Sequence, residues 1–242
     1  MHTPMYGAGK DTAVVFIHGF MGSPGQFADL AAAVHDLGFA YKSILLPGHG
    51  GTLRNFIQSR AEDWQRHVQE EIDNIKATHG RIYLVGHSMG GLLALNAANL
   101  DGISGIMLLS TPLKVYWLNP KASWAKLRLL TLPKEHEVKQ TYTASNSVVA
   151  SRVFFYPLAA KPLMQLYKLM RQTKKRLPDV RIPVYMFHSR RDETTAYKSA
   201  AILGKKLPQS TAFQLENSWH AHYCKDEREK IKTCLLEMIR GA

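Results

Sequence analysis

Three residues far apart in the chain carry side chains that, brought together, could break an acyl bond. Ser88 stands in Gly86-His87-Ser88-Met89-Gly90, a G-x-S-x-G arrangement. Asp192 stands in Ser189-Arg190-Arg191-Asp192-Glu193-Thr194, and His220 in Asn217-Ser218-Trp219-His220-Ala221-His222. A serine hydroxyl becomes a nucleophile once a base takes its proton, and that base needs an acid to orient it. Other assignments compete. Asp192 could instead cap a helix or pair with Arg190 or Arg191, Glu193 is its neighbour, and His222 shares a loop with His220. We read Ser88 as nucleophile, Asp192 as orienting acid and His220 as base, with His222 kept as the alternative.

The elements around these residues must hold them. Ile82–Val85 is an apolar run that predicts a buried strand, and a helical pattern with Leu92, Leu93 and Leu95 follows the serine. Side chains at Gly86 and Gly90 would collide with the strand and helix at so sharp a turn, and the turn would leave Ser88 Oγ exposed above the sheet edge. It also sets Ser88 at a helix N-terminus, where free N–H groups favour developing negative charge. Acyl transfer needs two N–H donors for the tetrahedral oxyanion. Met89, the residue after the nucleophile, supplies one. Phe20, in the His18-Gly19-Phe20 loop after the first strand, supplies the other.

Further strands are predicted at Thr12–Ile17, Ala40–Leu46, Ile103–Ser110, Ile182–His188 and Thr211–Leu215. Helices are predicted at Gln26–Leu37, Ala61–Thr78, Thr194–Leu207 and Asp226–Arg240. This alternation implies an α/β fold, a mostly parallel sheet with helices on both faces. The 242 residues fit one domain, 1–242. Residues 111–180 break the rhythm with Pro120, Pro133, Pro157, Pro162 and Pro178. They read as a helical cap inserted after the strand ending near Ser110, on the side where such sheets place their sites.

Composition narrows the function classes. With 45% apolar and 21% charged residues the chain is an ordinary globular one. It has no apolar stretch of bilayer length and no apolar region of a secretory signal near its first residues. Cys224 and Cys234 fall in one helix-like segment, about 15 Å apart, too far for a disulfide. A cytoplasmic location is the expectation, and no metal site is expected.

The net charge of +12 is uneven. Between Thr111 and Arg181 there are 14 Lys and Arg against three acids, a net +11. The cap also holds Tyr116, Trp117, Trp124, Phe154, Phe155 and Tyr156. From Pro162 onward, Leu163, Leu166, Tyr167 and Met170 follow helical spacing with basic residues largely elsewhere, a basic amphipathic helix. It reads either as a lid helix with its charges in water or as a surface that draws in anionic membranes or substrates. No nucleic-acid motif accompanies the charge, and none is expected as a partner.

His18-Gly19-Phe20, Leu46-Pro47-Gly48-His49-Gly50, Trp64, Gly86-His87-Ser88-Met89-Gly90-Gly91 and the Asp192 and His220 loops together resemble the α/β-hydrolase superfamily. More narrowly, they are similar to small bacterial carboxylesterases and monoacylglycerol lipases. The resemblance covers nearly the whole chain and is weakest over 111–180. It implies a Ser88–Asp192–His220 triad, Phe20 and Met89 as oxyanion donors, no cofactor, and a carboxylic ester of a small alcohol or glycerol as substrate. A thioesterase or acyltransferase using the same triad is the second reading, and a non-catalytic binding protein the third. One departure is plain: the family usually has glycine before the catalytic histidine, and Trp219 stands there.

Overall fold

In the computed structural model, which describes residues 2–115, 131–148 and 160–241, the predicted apolar runs become six of the seven strands of one sheet. The strands are β1 (Met5–Gly7), β2 (Lys10–Ile17), β3 (Phe39–Ile44), β4 (Arg81–His87), β5 (Ile103–Leu109), β6 (Val184–Ser189) and β7 (Ser210–Leu215). Their spatial order is β1-β3-β2-β4-β5-β6-β7. β1 runs antiparallel to β3, and every other neighbouring pair is parallel.

Strand residues alternate between faces, so a strand buried along its length needs cover on both sides. In β2, Ala13, Val15 and Ile17 join one apolar cluster while Val14 and Phe16 join another. The first cluster takes Trp64, Val68 and Ile72 of α3 (Ala61–Lys76) and Leu92 and Leu93 of α4 (Met89–Asn96). The second takes Leu30 and Val34 of α1 (Ala28–Asp36) and Ile231 and Leu235 of the C-terminal helix Lys225–Arg240. Burying each large apolar side chain contributes about 1.5–3 kcal/mol.

Two elements escape the sequence reading. β1 has three residues with Tyr6 exposed, too short to show alternation. α2 (Leu53–Gln58) is a single capped turn and a half, in which Thr52 Oγ1 accepts from Asn55 N–H and Phe56 is buried. A third difference concerns the helix expected from Thr194. It begins only at Lys198, because the Asp192 carboxylate takes the Thr194 and Thr195 N–H groups and Thr195 bridges to Val115.

Between β5 and β6 the described residues form α5 (Glu137–Ser145) and α6 (Ala160–Arg176); α7 (Lys198–Lys206) and α8 (Lys225–Arg240) follow β6 and β7. Tyr116, Trp117, Trp124, Phe154, Phe155 and Tyr156 lie outside the described residues. The apolar stripe of α6 is part of the core. Leu166, Leu169 and Met170 are buried in the same cluster as α4, and α6 also lies against α2 and α3. α4 explains why. Its residues 89–95 are all buried, and a helix apolar on every side needs cover beyond the sheet. No helix among the described residues is long and apolar enough to cross a membrane.

Candidate active site

The glycines of the turn at Ser88 are where close approach excludes any side chain. A Cβ on Gly86 would lie 2.5 Å from Gly90 O and Gly91 N, and one on Gly90 would lie 1.9 Å from Ile17 O. The chain therefore turns from β4 into α4 on Ser88 itself, at φ 52° and ψ −118°. A non-glycine residue held there costs about 1–3 kcal/mol of local strain. Hydrogen bonds hold it: Ser88 N–H donates to Leu109 O at 2.8 Å, and Gly91 N–H donates to Ser88 O at 3.0 Å.

Ser88 taken as a whole residue is buried. Ser88 keeps only 6% of its surface, because the loop after β2 and the loop after β7 close around it. Gly19 is so near that a Cβ there would come 3.0 Å from Ser88 Cβ. From the other side, His220 brings Nε2 to 3.0 Å from Ser88 Oγ.

His220 Nδ1 lies 2.9 Å from Asp192 Oδ2 and 3.1 Å from Oδ1. An ionised carboxylate can only accept, so Nδ1 carries the proton and Nε2 presents its lone pair to the serine. Asp192 Oδ1 also accepts from Thr194 N–H at 2.8 Å and Thr195 N–H at 2.7 Å. Burial by itself would raise the Asp192 pKa. The charge and hydrogen bond of His220 and the two N–H donors outweigh it, and the carboxyl is held below the usual range. The sequence-predicted Ser88, Asp192 and His220 are thus joined in one hydrogen-bonded chain. His222 is not: its Nδ1 lies 3.2 Å from Thr141 Oγ1 of α5.

The loop that carries His220 is tied down at several points. Glu227 of α8 accepts from the N–H groups of Glu216, Asn217 and Ser218 at 2.6, 3.1 and 2.9 Å, and from Ser218 Oγ. Ser189 Oγ donates to Ser218 O, and Trp219 N–H donates to His222 O at 2.8 Å. Trp219, where the resemblance has glycine, leaves its neighbour's ring facing Ser88. His87 Nε2–H donates to the His220 carbonyl at 2.8 Å. Burial first, then the nearby His220, pushes the His87 pKa down to about 3, so the ring stays neutral.

The loop after β2 rests on two more neutral histidines. His18 Nδ1–H donates to Gly19 O at 2.9 Å, and its Nε2 accepts from Leu46 N–H at 3.0 Å. His49 Nε2 accepts from Met21 N–H at 3.2 Å, and its ring packs edge-on against His18. Burial lowers both pKa values, that of His49 to about 4. Phe20 sits between these anchored neighbours, its ring packed edge-on against Phe56 at 4.8 Å. Met89 opens α4, so its N–H has no carbonyl one turn back within the helix. Phe20 follows Gly19, which lies against Ser88, and Met89 follows Ser88 directly in the chain.

Glu193, Tyr142, His87 and Glu227 are contributions the sequence reading did not assign. Glu193 figured there only as a competitor of Asp192, and the adjacency of two acids was the one available signal. No cluster of His, Cys, Asp and Glu able to hold a metal ion occurs among the described residues.

A mostly parallel sheet with the strained serine between β4 and α4, and acid and histidine loops following β6 and β7, defines an α/β-hydrolase. The chain belongs to the hydrolase family described as serine aminopeptidase, S33, whose profile matches residues 8–226. Among curated proteins it is 27% identical over 220 residues to a thermostable monoacylglycerol lipase of Bacillus sp. (strain H-257), covering 90% of this chain and 86% of that protein. It is 26% identical over 108 residues to a carboxylesterase of Bacillus subtilis (strain 168), 44% of each chain. Solved structures of the same fold include one from the work on LipS and LipT, two metagenome-derived lipolytic enzymes, with TM-score 0.80, 22% identity and coverage of 100% of this chain and 98% of that one. The Paleococcus ferrophilus monoacylglycerol lipase has TM-score 0.73 and 19% identity, with coverage of 99% and 98%.

Proposed function

We propose that this protein hydrolyses carboxylic esters, in the manner of a carboxylesterase or monoacylglycerol lipase, through an acyl-enzyme on Ser88. The observation that carries the reading is the chain Ser88 Oγ–His220 Nε2–His220 Nδ1–Asp192, with contacts of 3.0 and 2.9 Å. The relatives named as lipase and carboxylesterase support the choice of ester over other acyl groups.

Ser88 Oγ attacks the ester carbonyl as its proton passes to His220 Nε2. Asp192 stabilises the imidazolium without taking a proton itself. The carbonyl electrons move onto oxygen, which the Phe20 and Met89 N–H groups receive, with the α4 N-terminus adding its dipole. Collapse expels the alcohol, which leaves with the proton from His220. Water then attacks the acyl-enzyme, again giving its proton to His220, and the carboxylic acid departs as Ser88 regains its hydrogen. The cycle balances with water as the only co-reactant.

The basic segment would serve substrate capture. Met164 and Tyr167 of α6 are exposed, at 67% and 39%, beside Lys161, Lys168, Arg171 and Lys175. Apolar groups ringed by cations suit an anionic lipid surface. The same charge would also favour a phosphorylated acyl carrier, so a thioesterase reading is tested alongside.

Labelling by a fluorophosphonate probe, with hydrolysis of p-nitrophenyl esters and acyl-CoA, tests the proposal on wild type and Ser88→Ala. Wild type should be labelled and turn over the ester faster than the thioester, and Ser88→Ala should do neither. Equal labelling of both proteins would overturn it.

A further inference from the structure

Asp192 and Glu193 are consecutive, both acidic and both buried, at 6% and 5% exposure, yet they face different parts of one residue. Asp192 takes the His220 ring. Glu193 takes the main chain, its Oε2 accepting from His220 N–H at 3.0 Å. The second Glu193 oxygen reaches away from the sheet and accepts from the Tyr142 hydroxyl of α5, with Thr194 Oγ1 3.4 Å away. The Tyr142 oxygen in turn accepts from Ala221 N–H at 3.3 Å. Burial, and then the adjacent Glu193 charge, drives the Tyr142 pKa well above its ordinary value, so it remains a donor.

Among the ion pairs of the described residues, Glu193 has no cationic partner. A buried carboxylate held by neutral donors is costly, and its hydrogen bonds must offset the desolvation. What those bonds fix is the backbone on both sides of the His220 side chain: Glu193 holds the 220 N–H, Tyr142 the 221 N–H, and His87 the 220 carbonyl.

We propose that Glu193 and Tyr142 form a positioning clamp by which α5, from the segment between β5 and β6, fixes the His220 backbone and hence the aim of Nε2 at Ser88. Neither residue touches the reacting atoms. The clamp rests on the reading of His220 as base. It ties a helix outside the sheet to the proton-transfer geometry, so loss of the clamp lowers turnover and leaves binding of a small neutral ester nearly unchanged.

The test is steady-state hydrolysis of a short p-nitrophenyl ester by wild type, Glu193→Ala, Glu193→Gln, Tyr142→Phe and the double variant Tyr142→Phe/Glu193→Ala. Misplacing a reacting group by an ångström can cost about 10²-fold. Glu193→Ala should therefore lose about tenfold to hundredfold in kcat with KM within about threefold. Glu193→Gln, whose amide oxygen can still accept from His220 N–H, should recover most of that loss. Tyr142→Phe should fall between wild type and Glu193→Ala. The double variant should be worse than Glu193→Ala by less than the Tyr142→Phe loss alone, since Tyr142 acts partly through the carboxylate and partly through its own contact to Ala221 N–H. Unchanged kcat in both Glu193→Ala and Tyr142→Phe, with wild-type melting temperatures, would overturn the clamp. So would Gln failing to rescue while folding normally. Should Glu193→Ala not fold, Tyr142→Phe and Glu193→Gln carry the test. Ser88-dependent hydrolysis in the wild type keeps the outcome separate: its absence sinks the proposed function, its presence with indifferent clamp variants sinks the clamp alone.

Discussion

His87 donates its Nε2–H to the main-chain carbonyl of His220 at 2.8 Å, so the residue before the proposed nucleophile holds the residue proposed as base. Burial, and then the nearby His220, lowers the His87 pKa to about 3, so the ring that makes this bond is neutral near pH 7. His87→Phe keeps the bulk but removes the donor. We expect kcat to fall about tenfold with little change in KM, as one hydrogen bond of about 1.4 kcal/mol is lost from the aligned state. A kcat within twofold of wild type, by the same assay, would show that the bond is incidental to alignment.

The two histidines of the loop should separate cleanly. His220→Ala should cost at least roughly 10³-fold in kcat, because nucleophile, base and acid act as a unit. Asp192→Asn should fall with it. His222→Ala, which loses a contact to Thr141, should cost far less. Finding His222→Ala the more damaged of the two would reverse the assignment.

Two neighbouring glycines should respond differently to alanine. At Gly90 the added Cβ meets backbone, 1.9 Å from Ile17 O; at Gly91 it meets a side chain, 1.9 Å from Thr111 Oγ1. Overpacking of this sort typically costs about 1–3 kcal/mol and more where nothing can move. Thr111 Oγ1 has no hydrogen-bond partner among the described residues, so Thr111→Ala removes the nearest obstacle cheaply and leaves only Thr111 Cβ, at 2.9 Å, to give way. Denaturant melts should show Gly91→Ala partly rescued by Thr111→Ala, and Gly90→Ala not rescued. Equal rescue of both would contradict the packing described.

Acid should weaken the fold before it protonates the carboxylates. Burial lowers the pKa of His18, His49, His87 and His188, to about 4 for His49 and about 3 for His87. Unfolded, each titrates near 6.5, so below that pH the unfolded chain binds protons the native one refuses. Their contribution is complete above about pH 6.5 and declines as pH falls toward those native values, by up to about 1.4 kcal/mol per pH unit per histidine. Urea midpoints at pH 7, 6 and 5 should drop steadily, and His49→Gln should drop less steeply. A flat profile in wild type would refute this.

Salt should discriminate between substrates. Charges exposed on α6 act over about 8–10 Å at physiological ionic strength. Turnover of an anionic ester, or of a neutral one on anionic vesicles, should fall as salt rises. It should fall likewise when Lys168, Arg171 and Lys175 are all changed to Gln. A neutral soluble ester should be indifferent to both. Identical responses would leave the charge with no part in capture. Lys168 pairs with Glu62 at 2.5 Å, so Arg171 and Lys175 should carry most of the effect.

The residues proposed for chemistry were legible because local punctuation marks them. Glycines at 86 and 90 announce a tight turn, and acid and histidine fall in loops that end strands. The roles of Glu193 and Tyr142 were not legible. Which of two adjacent carboxylates meets a ring and which meets a backbone depends on the path of a loop over 20 residues away. The place of α6 escaped for another reason. An amphipathic stripe declares that one face will be covered but not by what, and the cover is α4. The burial of Ser88 as a residue was not legible from the turn, because two other loops, distant in sequence, pack around it.

The packing of α6 on α4 also limits how this scaffold can be remodelled. A designer wishing to exchange the whole segment between β5 and β6 as a cassette would remove Leu166, Leu169 and Met170 with it. The apolar back of α4 would then meet water, next to the serine turn it supports. Grafts that end before Ala160 keep that wall, and replacements that run past it must bring a helix of matching shape.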